Sequence, residues 1–163
     1  MSIILETAKL IKNPKIKFLI WGDGDEMVFL QRRCQDEGIS NLVFKGRVDK
    51  KFIPYILSHA DANLLHFEAT SIMRYGMSAN KLFDYFAAKK PIVSDVKTNY
   101  DLILKYNLGV VAEDQTPEKI KEAIERVSNM TTKERIVLKD NLHRAALDYD
   151  FKNLTDKLIN IIG

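Results

Sequence analysis

The sequence predicts an α/β fold in which a parallel sheet carries helices on both of its faces. Two observations support this prediction. Short apolar runs, bounded by glycine, proline or polar residues, alternate along the chain with longer segments whose apolar residues recur at helical spacing. No low-complexity tract or long Pro/Gly/Ser-rich linker interrupts the alternation. Strands that alternate with helices of about ten residues or more are typical of right-handed βαβ crossovers in a parallel sheet.

The order of elements follows from the same patterns. Apolar residues recur at helical spacing over 2–12, and the apolar run 17–21 ends at Gly22, which indicates a buried strand. Helical spacing resumes over 25–37 and stops at Gly38. The remaining predicted strands are 41–45, 62–65, 91–94 and 109–112. The remaining predicted helices are about 49–58, 79–89, 98–106, 117–129, 131–148 and 150–161.

Length and composition predict one folded domain over residues 1–163. The chain is 46% hydrophobic and 29% charged with a net charge of +3, and its basic residues are scattered, so no nucleic-acid partner is expected. Cys34 is the only cysteine, which suits a reducing cytoplasm and predicts a small buried side chain on a helix. The N-terminus lacks the pattern of a signal peptide, and no run approaches the roughly 20 apolar residues of a membrane span.

The carboxyl ends of the strands are where a ligand is expected. In an open parallel sheet, ligands bind beyond these ends, near the point where the strand order reverses. The candidate loops are therefore 22–26, 46–49, 66–79 and 95–99.

The loop after the first strand reads Gly22-Asp23-Gly24-Asp25. Glycines allow the backbone to approach a ligand closely, and the following helix start could face an anion. A tight turn with an aspartate as helix cap explains the same residues. A third interpretation is a metal site, in which the carboxylates of Asp23 and Asp25 hold a divalent cation against a diphosphate.

The loop 66–79 is the longest irregular stretch, and loops of this length in a compact domain are often functional. It leads into a predicted helix with Ser78 as its cap, while Asn80 and Asp84 fall on one face. A helix start beside Arg74 and Lys81 suits a diphosphate, and a carboxylate one turn further suits vicinal ribose hydroxyls. A solvated polar helix face is the alternative. His66 would face the same cleft, or serve a structural role.

Four segments, in order, resemble the C-terminal donor-binding domain of retaining glycosyltransferases of family 4. The stretch 75–94, YGMSANKLFDYFAAKKPIVS, resembles the family's loop and helix of the type "kl-E-ym-a-gkP-v-as". Residues 18–26 resemble its strand and "GdG" turn, 43–48 its "V-F-G-v" turn, and 60–65 its "a-D-v-l-l" strand. The similarity spans nearly the whole chain and implies one Rossmann-like half of a GT-B fold.

The resemblance also implies where the donor sits. Asp84 stands at the second acid of the family's Glu-x7-Glu motif, which binds the ribose hydroxyls, whereas Gly76 replaces the first acid. Backbone groups around Arg47 and Val48 hold the family's position for the base. No catalytic residue is assigned. The expected donor-binding residues are Gly22, Gly24, Arg47, Val48, His66, Arg74, Gly76, Ser78, Asn80, Lys81, Leu82 and Asp84.

The variant Gly-x-Ser-x-Asn-Lys before the helix resembles bacterial enzymes that build surface polysaccharides, which favours a UDP-sugar donor used without a metal or other cofactor. The family's N-terminal acceptor domain and the two basic residues that precede the helix over 2–12 lie outside this sequence. We therefore expect a cytoplasmic domain that binds donor weakly and does not turn over alone. Any membrane association would come from the missing parts or from a lipid-linked acceptor.

Two other functions remain open. A nucleotide-sugar epimerase of the same architecture would need acid and base carboxylates and a histidine in the cleft, where His66 is the candidate. A receiver-like signalling module would use Asp23 or Asp95 after a strand, with Lys97 nearby, but the long loop 66–79 has no place in it.

Overall fold

The computed structural model describes residues 1–68, 70–77 and 79–162. Helices and parallel strands alternate along this part of the chain. The strands are β1 (Phe18–Trp21), β2 (Leu42–Gly46), β3 (Asn63–Leu65), β4 (Ile92–Ser94) and β5 (Gly109–Val111). The helices are α1 (Ser2–Leu10), α2 (Met27–Asp36), α3 (Ile53–His59), α4 (Asn80–Ala88), α5 (Leu102–Tyr106), α6 (Pro117–Ser128), α7 (Thr132–Asp148) and α8 (Phe151–Ile162). Two short 3-10 turns, Lys50–Phe52 and Ser71–Tyr75, precede α3 and α4.

The predicted α/β class is confirmed, but the described strands form two sheets instead of one. β1 pairs with β2 in a two-stranded parallel sheet, and β3, β4 and β5 form a three-stranded parallel sheet in that order. The prediction of a single sheet assumed that all neighbouring strands pair. In the structure, β1 and β3 belong to different sheets.

Alternating strand residues face two separate apolar cores. Leu64, Val93 and Val110 face the first core, which α1, α2 and α6 cover together with residues of β1 and β2. The neighbouring residues Leu65, Ile92 and Val111 face the second core, covered by α4, α5 and α7. Side chains of successive strand residues point to opposite faces. The strands β3, β4 and β5 are therefore sandwiched between two helical layers.

Local features set the element boundaries. α5 begins at Leu102, later than the predicted 98, because the Asp101 carboxylate accepts hydrogen bonds from the amides of Ile103 and Leu104 and caps the helix. At Gly109 a Cβ atom would lie 1.8 Å from the Ile92 carbonyl oxygen, so the pairing of β5 with β4 leaves no room for a side chain.

Cys34 lies buried on α2, and burial raises the pKa of its thiol. Among the described residues, no helix combines the length and apolar character needed to cross a membrane.

Candidate functional site

A cleft of about 460 Å³ opens at the carboxyl ends of the three-stranded sheet. It is lined by Thr70, Ser71, Met73, Arg74, Asp95, Val96, Lys97, Asn99, Asp114 and Gln115. These residues come from the loops that follow β3, β4 and β5. The position agrees with the rule that ligands bind beyond the carboxyl ends of parallel strands.

The loops around the cleft are tied to one another by hydrogen bonds. The Gln115 side-chain amide donates to the Phe67 carbonyl oxygen at 2.5 Å, which joins the loop after β5 to the loop after β3. The Asp114 carboxylate accepts from the hydroxyl and backbone amide of Thr116, and these bonds lower its pKa below the usual range. The wall of the cleft next to α6 is thus held in place by its own polar contacts.

A buried histidine–aspartate pair lies at the base of the loop after β3. The Asp95 side chain is fully buried, and its carboxylate forms a short hydrogen bond with Nδ1 of His66. The Phe67 amide donates to the other carboxylate oxygen at 3.4 Å. His66 was an expected site residue, and its side chain remains 18% exposed. Because Nδ1 is engaged by Asp95, Nε2 is the ring nitrogen left for another partner.

Two cations stand at the cleft without a carboxylate partner among the described residues. Arg74 and Lys97 both line the cleft, and both are exposed. Arg74 donates to the Tyr75 hydroxyl at 2.6 Å and lies over the Tyr75 ring. The acidic groups in the lining, Asp95 and Asp114, already accept hydrogen bonds from protein donors. The cations are therefore free to meet an anion.

The start of α4 adds a second place for an anion. Ala79 occupies its N-cap position and makes no side-chain cap, so backbone amides of the first turn remain uncapped by it. Lys81 is exposed there, with Nζ 5.1 Å from the centre of the Phe67 ring. The predicted cap Ser78 lies outside the described residues. Asn80 and Asp84 are exposed on α4 as well.

Leu82 and Tyr85 fix α4 to the domain. The expectation that Leu82 contacts a donor disagrees with its burial: the side chain is 2% exposed in the second core, and its amide donates to the Ala79 carbonyl. Its role is to hold the helix. The Tyr85 hydroxyl donates to the Leu64 carbonyl at 3.1 Å, and burial raises the pKa of Tyr85 to about 12.

The glycine that replaces an acid, Gly76, has a backbone conformation that suits glycine. Its φ is +111°, and a Cβ atom there would lie 3.1 Å from Cβ of Tyr100. Residues with a side chain rarely adopt such a φ. The absence of an acid at this position therefore has a local structural reason.

The loops after β1 and β2 lie next to each other. Arg47 and Asp23 form an ion pair at 3.7 Å, with side chains 83% and 67% exposed, so the pair is weak. Gly22 has a φ of +140° and its amide donates to the Gly46 carbonyl, while Gly24 has open space where a Cβ would be. Val48, in the loop after β2, is half-buried.

Asp23 and Asp25 both lie exposed in the loop after β1. Over residues 1–68, 70–77 and 79–162, no three His, Cys, Asp or Glu side chains are grouped so that they could hold a metal ion.

Among the described residues, Arg74 is the expected donor-binding residue that lines the cleft, and His66 lies outside the lining but is hydrogen-bonded to Asp95, which is part of it. Asp95, Lys97 and Asn99 belong to the candidate loop 95–99, and the sequence makes Asp95 and Lys97 candidates for a receiver-like site and not for donor binding. Gln115 follows the last strand, whose loop was not considered. Applying the rule of strand ends to every strand, including β5, would have found it.

Comparisons with known proteins identify a family and a shared fold. Residues 1–130 match the family model described as "Glycosyl transferases group 1". Anabaena Alr3699/HepE in complex with UDP superposes with a TM-score of 0.76 at 14% identity, covering 98% of this chain and 43% of that one. S. aureus TarM, in complex with ligands that include UDP, gives 0.74 at 17% identity, covering 98% and 32%.

WaaG, described as a glycosyltransferase involved in lipopolysaccharide biosynthesis, gives a TM-score of 0.66 at 20% identity, covering 98% of this chain and 42% of that one. This chain thus spans less than half the length of these solved structures. A search of curated protein sequences finds no significant match. The likeness to the solved structures establishes the shared fold, and the family model covers most of the chain. The chain therefore belongs to the group 1 glycosyl transferases.

Proposed function

We propose that this chain is the donor-binding domain of a glycosyltransferase that transfers a sugar from a UDP-sugar during surface polysaccharide biosynthesis. The observation that carries the proposal is the cleft beyond β3, β4 and β5, with Arg74 and Lys97 in its lining. Lys81 lies in the first turn of α4, the helix that follows the loop after β3, where the N-cap residue Ala79 makes no side-chain cap. Cations and helix amides together suit a diphosphate.

In this proposal each group has a defined part. Lys81, Arg74 and Lys97 neutralise the diphosphate, and the amides at the start of α4 donate to its oxygens, so no metal or other cofactor is required. Asp84 accepts hydrogen bonds from the ribose hydroxyls. Backbone groups near Arg47 and Val48 hold the base, and the loop of Gly22 and Gly24 lets the backbone approach the donor.

The choice of UDP and of the pathway rests on the structural relatives. The HepE structures are described as complexes with UDP, with UDP-glucose, and with UDP and glucose. WaaG is described as acting in lipopolysaccharide biosynthesis. We propose a UDP-sugar donor and a surface polysaccharide pathway for this chain as well.

The domain is proposed to act with a second, acceptor-binding domain in the cytoplasm. Each of the three relatives is more than twice as long as the part matched here. In such an arrangement the reacting centre lies between the two domains, so residues 1–163 bind the donor without turning it over.

Calorimetric titration with UDP, UMP, GDP and ADP tests the proposal. UDP should bind, and Lys81→Ala should weaken UDP binding about tenfold, the size of one charge-assisted hydrogen bond. The affinity for UMP should fall by a smaller factor, because Lys81 is assigned to the diphosphate. Lys139→Ala, an exposed lysine on α7, is the matched control and should leave both affinities unchanged.

The same titration tests Asp84. Asp84→Asn should lower the affinities for UDP and UMP by the same factor, since both nucleotides carry the ribose. The affinity for 2′-deoxy-UDP should fall by a smaller factor than that for UDP. Asp140→Asn, exposed on α7, is the control. Equal losses of UDP and UMP on Lys81→Ala, or no binding of any nucleoside diphosphate to the unaltered chain, would refute the assignment.

A further inference from the structure

The aromatic ring of Phe67 lies against the ammonium group of Lys81. Nζ of Lys81 stands over the ring, 5.1 Å from its centre, which is within the distance at which the negative face of an aromatic ring attracts a cation. Phe67 is the second residue after β3, and Lys81 lies in the first turn of α4. The contact therefore joins the entry of the loop after β3 to its exit.

The backbone of Phe67 is held on both sides by neighbouring loops. Its amide donates to the buried Asp95 carboxylate at 3.4 Å, and its carbonyl oxygen accepts from the Gln115 side chain at 2.5 Å. These two partners belong to the loops after β4 and β5. The side chain of Phe67 is half-buried against the second apolar core. The ring therefore has a fixed place that does not depend on Lys81.

The side chain of Lys81 gains most from such a fixed neighbour. It is exposed, and it forms no ion pair with a carboxylate among the described residues. A lysine stem loses much rotamer freedom when its ammonium group is held in one place. A contact that restrains the ammonium group before a ligand arrives reduces the entropy that is lost on binding.

The other cation of the same loop, Arg74, is restrained in a different way. Its guanidinium group lies 4.7 Å from the centre of the Tyr75 ring and donates to the Tyr75 hydroxyl at 2.6 Å. Tyr75 is 73% exposed and is the next residue in the chain, so ring and cation belong to one exposed stretch of the loop. Phe67 instead ties Lys81 to the part of the loop that the carboxyl ends of the strands hold.

We propose that Phe67 is a positioning residue for donor binding, whose ring holds the Lys81 ammonium group at the start of α4, where it meets the diphosphate. This inference rests on the proposed function, in which Lys81 neutralises the diphosphate. The ring acts through Lys81. Its removal should therefore affect a nucleoside diphosphate more than a monophosphate, and only while Lys81 is present.

A double-mutant cycle of Phe67 and Lys81, measured by calorimetric titration, tests the proposal. Phe67→Leu removes the ring but keeps an apolar side chain and both backbone hydrogen-bonding groups. In the otherwise unaltered chain it should weaken UDP binding about two- to fivefold, the factor expected for an exposed cation–π contact, and UMP binding by a smaller factor. In the Lys81→Ala variant the same substitution should leave the UDP affinity unchanged.

NMR of the Lys81 side chain tests the contact without any nucleotide. The ring of Phe67 should shift the ε-methylene proton resonances of Lys81 upfield of their positions in the Phe67→Leu variant. This shift requires the ring to lie over the lysine stem. A Phe67 side chain that served only to fill the core would not produce it.

Phe52→Leu is the matched control. Nζ of Lys51 also lies 5.1 Å from the centre of the Phe52 ring, but Lys51 already pairs with Asp49 at 3.3 Å. Phe52 precedes α3 and does not line the cleft. The substitution should leave the affinities for UDP and UMP unchanged.

Three results would overturn the inference and leave the proposed function standing. Lys81→Ala could weaken UDP binding while Phe67→Leu does not. Phe67→Leu could weaken UDP binding as much in the Lys81→Ala variant as in the unaltered chain, which would mean that Phe67 acts on the donor or on the fold directly. The Lys81 resonances could be the same with and without the ring. An unaltered chain that binds no UDP, or a Lys81→Ala variant that binds it as tightly, would overturn the proposed function as well.

Discussion

At the scale of single residues, the backbone at Gly76 determines whether the acid of the family motif can be introduced at this position. Its φ of +111° disfavours any side chain, and Tyr100 crowds the position. Gly76→Ala should lower the free energy of unfolding by about 1–3 kcal/mol, the cost of holding a residue in a rarely adopted conformation. Gly76→Glu should lose at least as much and should not improve UDP binding. Chemical denaturation measures the first effect and calorimetry the second.

Gly24→Ala is the control for Gly76, because Gly24 has open space around it and its φ lies outside the strained range. It should change stability by less than about 1 kcal/mol. A Gly76→Glu variant that is as stable as the unaltered chain and binds UDP more tightly would show that the glycine is not required by the backbone.

The hydrogen bond between His66 and Asp95 predicts which ring nitrogen of neutral His66 carries the proton. The buried Asp95 carboxylate accepts this hydrogen bond, so neutral His66 should carry its proton on Nδ1 and leave Nε2 as an acceptor. Nitrogen-15 NMR of the histidine ring measures this directly. Asp95→Asn should shift the tautomer population of His66 and leave His59, on the exposed face of α3, unchanged. A neutral His66 protonated on Nε2 in the unaltered chain would contradict the geometry.

The sequence places His66 and Arg74 in the loop that follows a predicted strand, and the structure places Arg74 in the lining of the cleft. Leu82 was placed in the site by likeness to a family motif, yet helical periodicity turns its side chain into the core. The sequence makes Asp95 a candidate only for a receiver-like site and does not mark Gln115, because their place beside the cleft depends on which loops meet in space. That contact is set by the packing of three parallel strands and has no local pattern in the sequence.

At the scale of elements, α7 carries a capping box whose effect should depend on pH. Glu134 accepts from Arg126 and from the amide and hydroxyl of Thr131, while Thr131 caps the Glu134 amide. The Arg126 hydrogen bond, followed by those from Thr131, lowers the pKa of Glu134 from 4.5 to about 2. Because the pKa of Glu134 is lower in the folded state than in the unfolded chain, its ionised form stabilises the fold at pH values above the unfolded pKa.

The contribution of Glu134 should therefore be present above about pH 4.5 and be lost as pH falls towards 2. Glu134→Gln removes the titrating group, so the variant should lose less stability than the unaltered chain over this interval. Thermal unfolding at several pH values measures the difference. Glu118→Gln, an exposed glutamate in the first turn of α6, is the control. Parallel pH profiles for the Glu134 variant and the unaltered chain would refute the prediction.

The existence and order of the elements were predictable because each helix and strand has its own periodicity and its own stop signals. The boundary of α5 was missed by four residues, since Asp101 acts as a cap only when the helix starts beside it. The division into two sheets could not be read from the sequence. Apolar runs identify strands, but strand pairing depends on which neighbouring strands are present. At Gly109, β5 lies so close to Ile92 of β4 that a side chain would not fit.

At the scale of the whole molecule, the two apolar cores end at α7, and α8 contributes no buried residue. Phe151, Ile161 and Ile162 on α8 are 88%, 80% and 74% exposed. The Asn153 side-chain amide donates to the Leu147 carbonyl oxygen and Lys157 Nζ donates to the Asp148 carbonyl oxygen, which ties α8 to the end of α7. Stability of the domain should therefore come almost wholly from the elements before α8.

Deleting the residues after Asp150 should lower the free energy of unfolding by less than about 1 kcal/mol, because little apolar surface leaves a packed environment. Leu5→Ala is the comparison: Leu5 is 1% exposed on α1 in the core that both sheets share, and its truncation should cost about 2–5 kcal/mol. Denaturant unfolding of both variants gives the two values. The deletion should also reduce self-association measured by sedimentation, because it removes exposed apolar side chains. A loss on deletion as large as that of Leu5→Ala would mean that α8 packs on the domain more tightly than its exposure indicates.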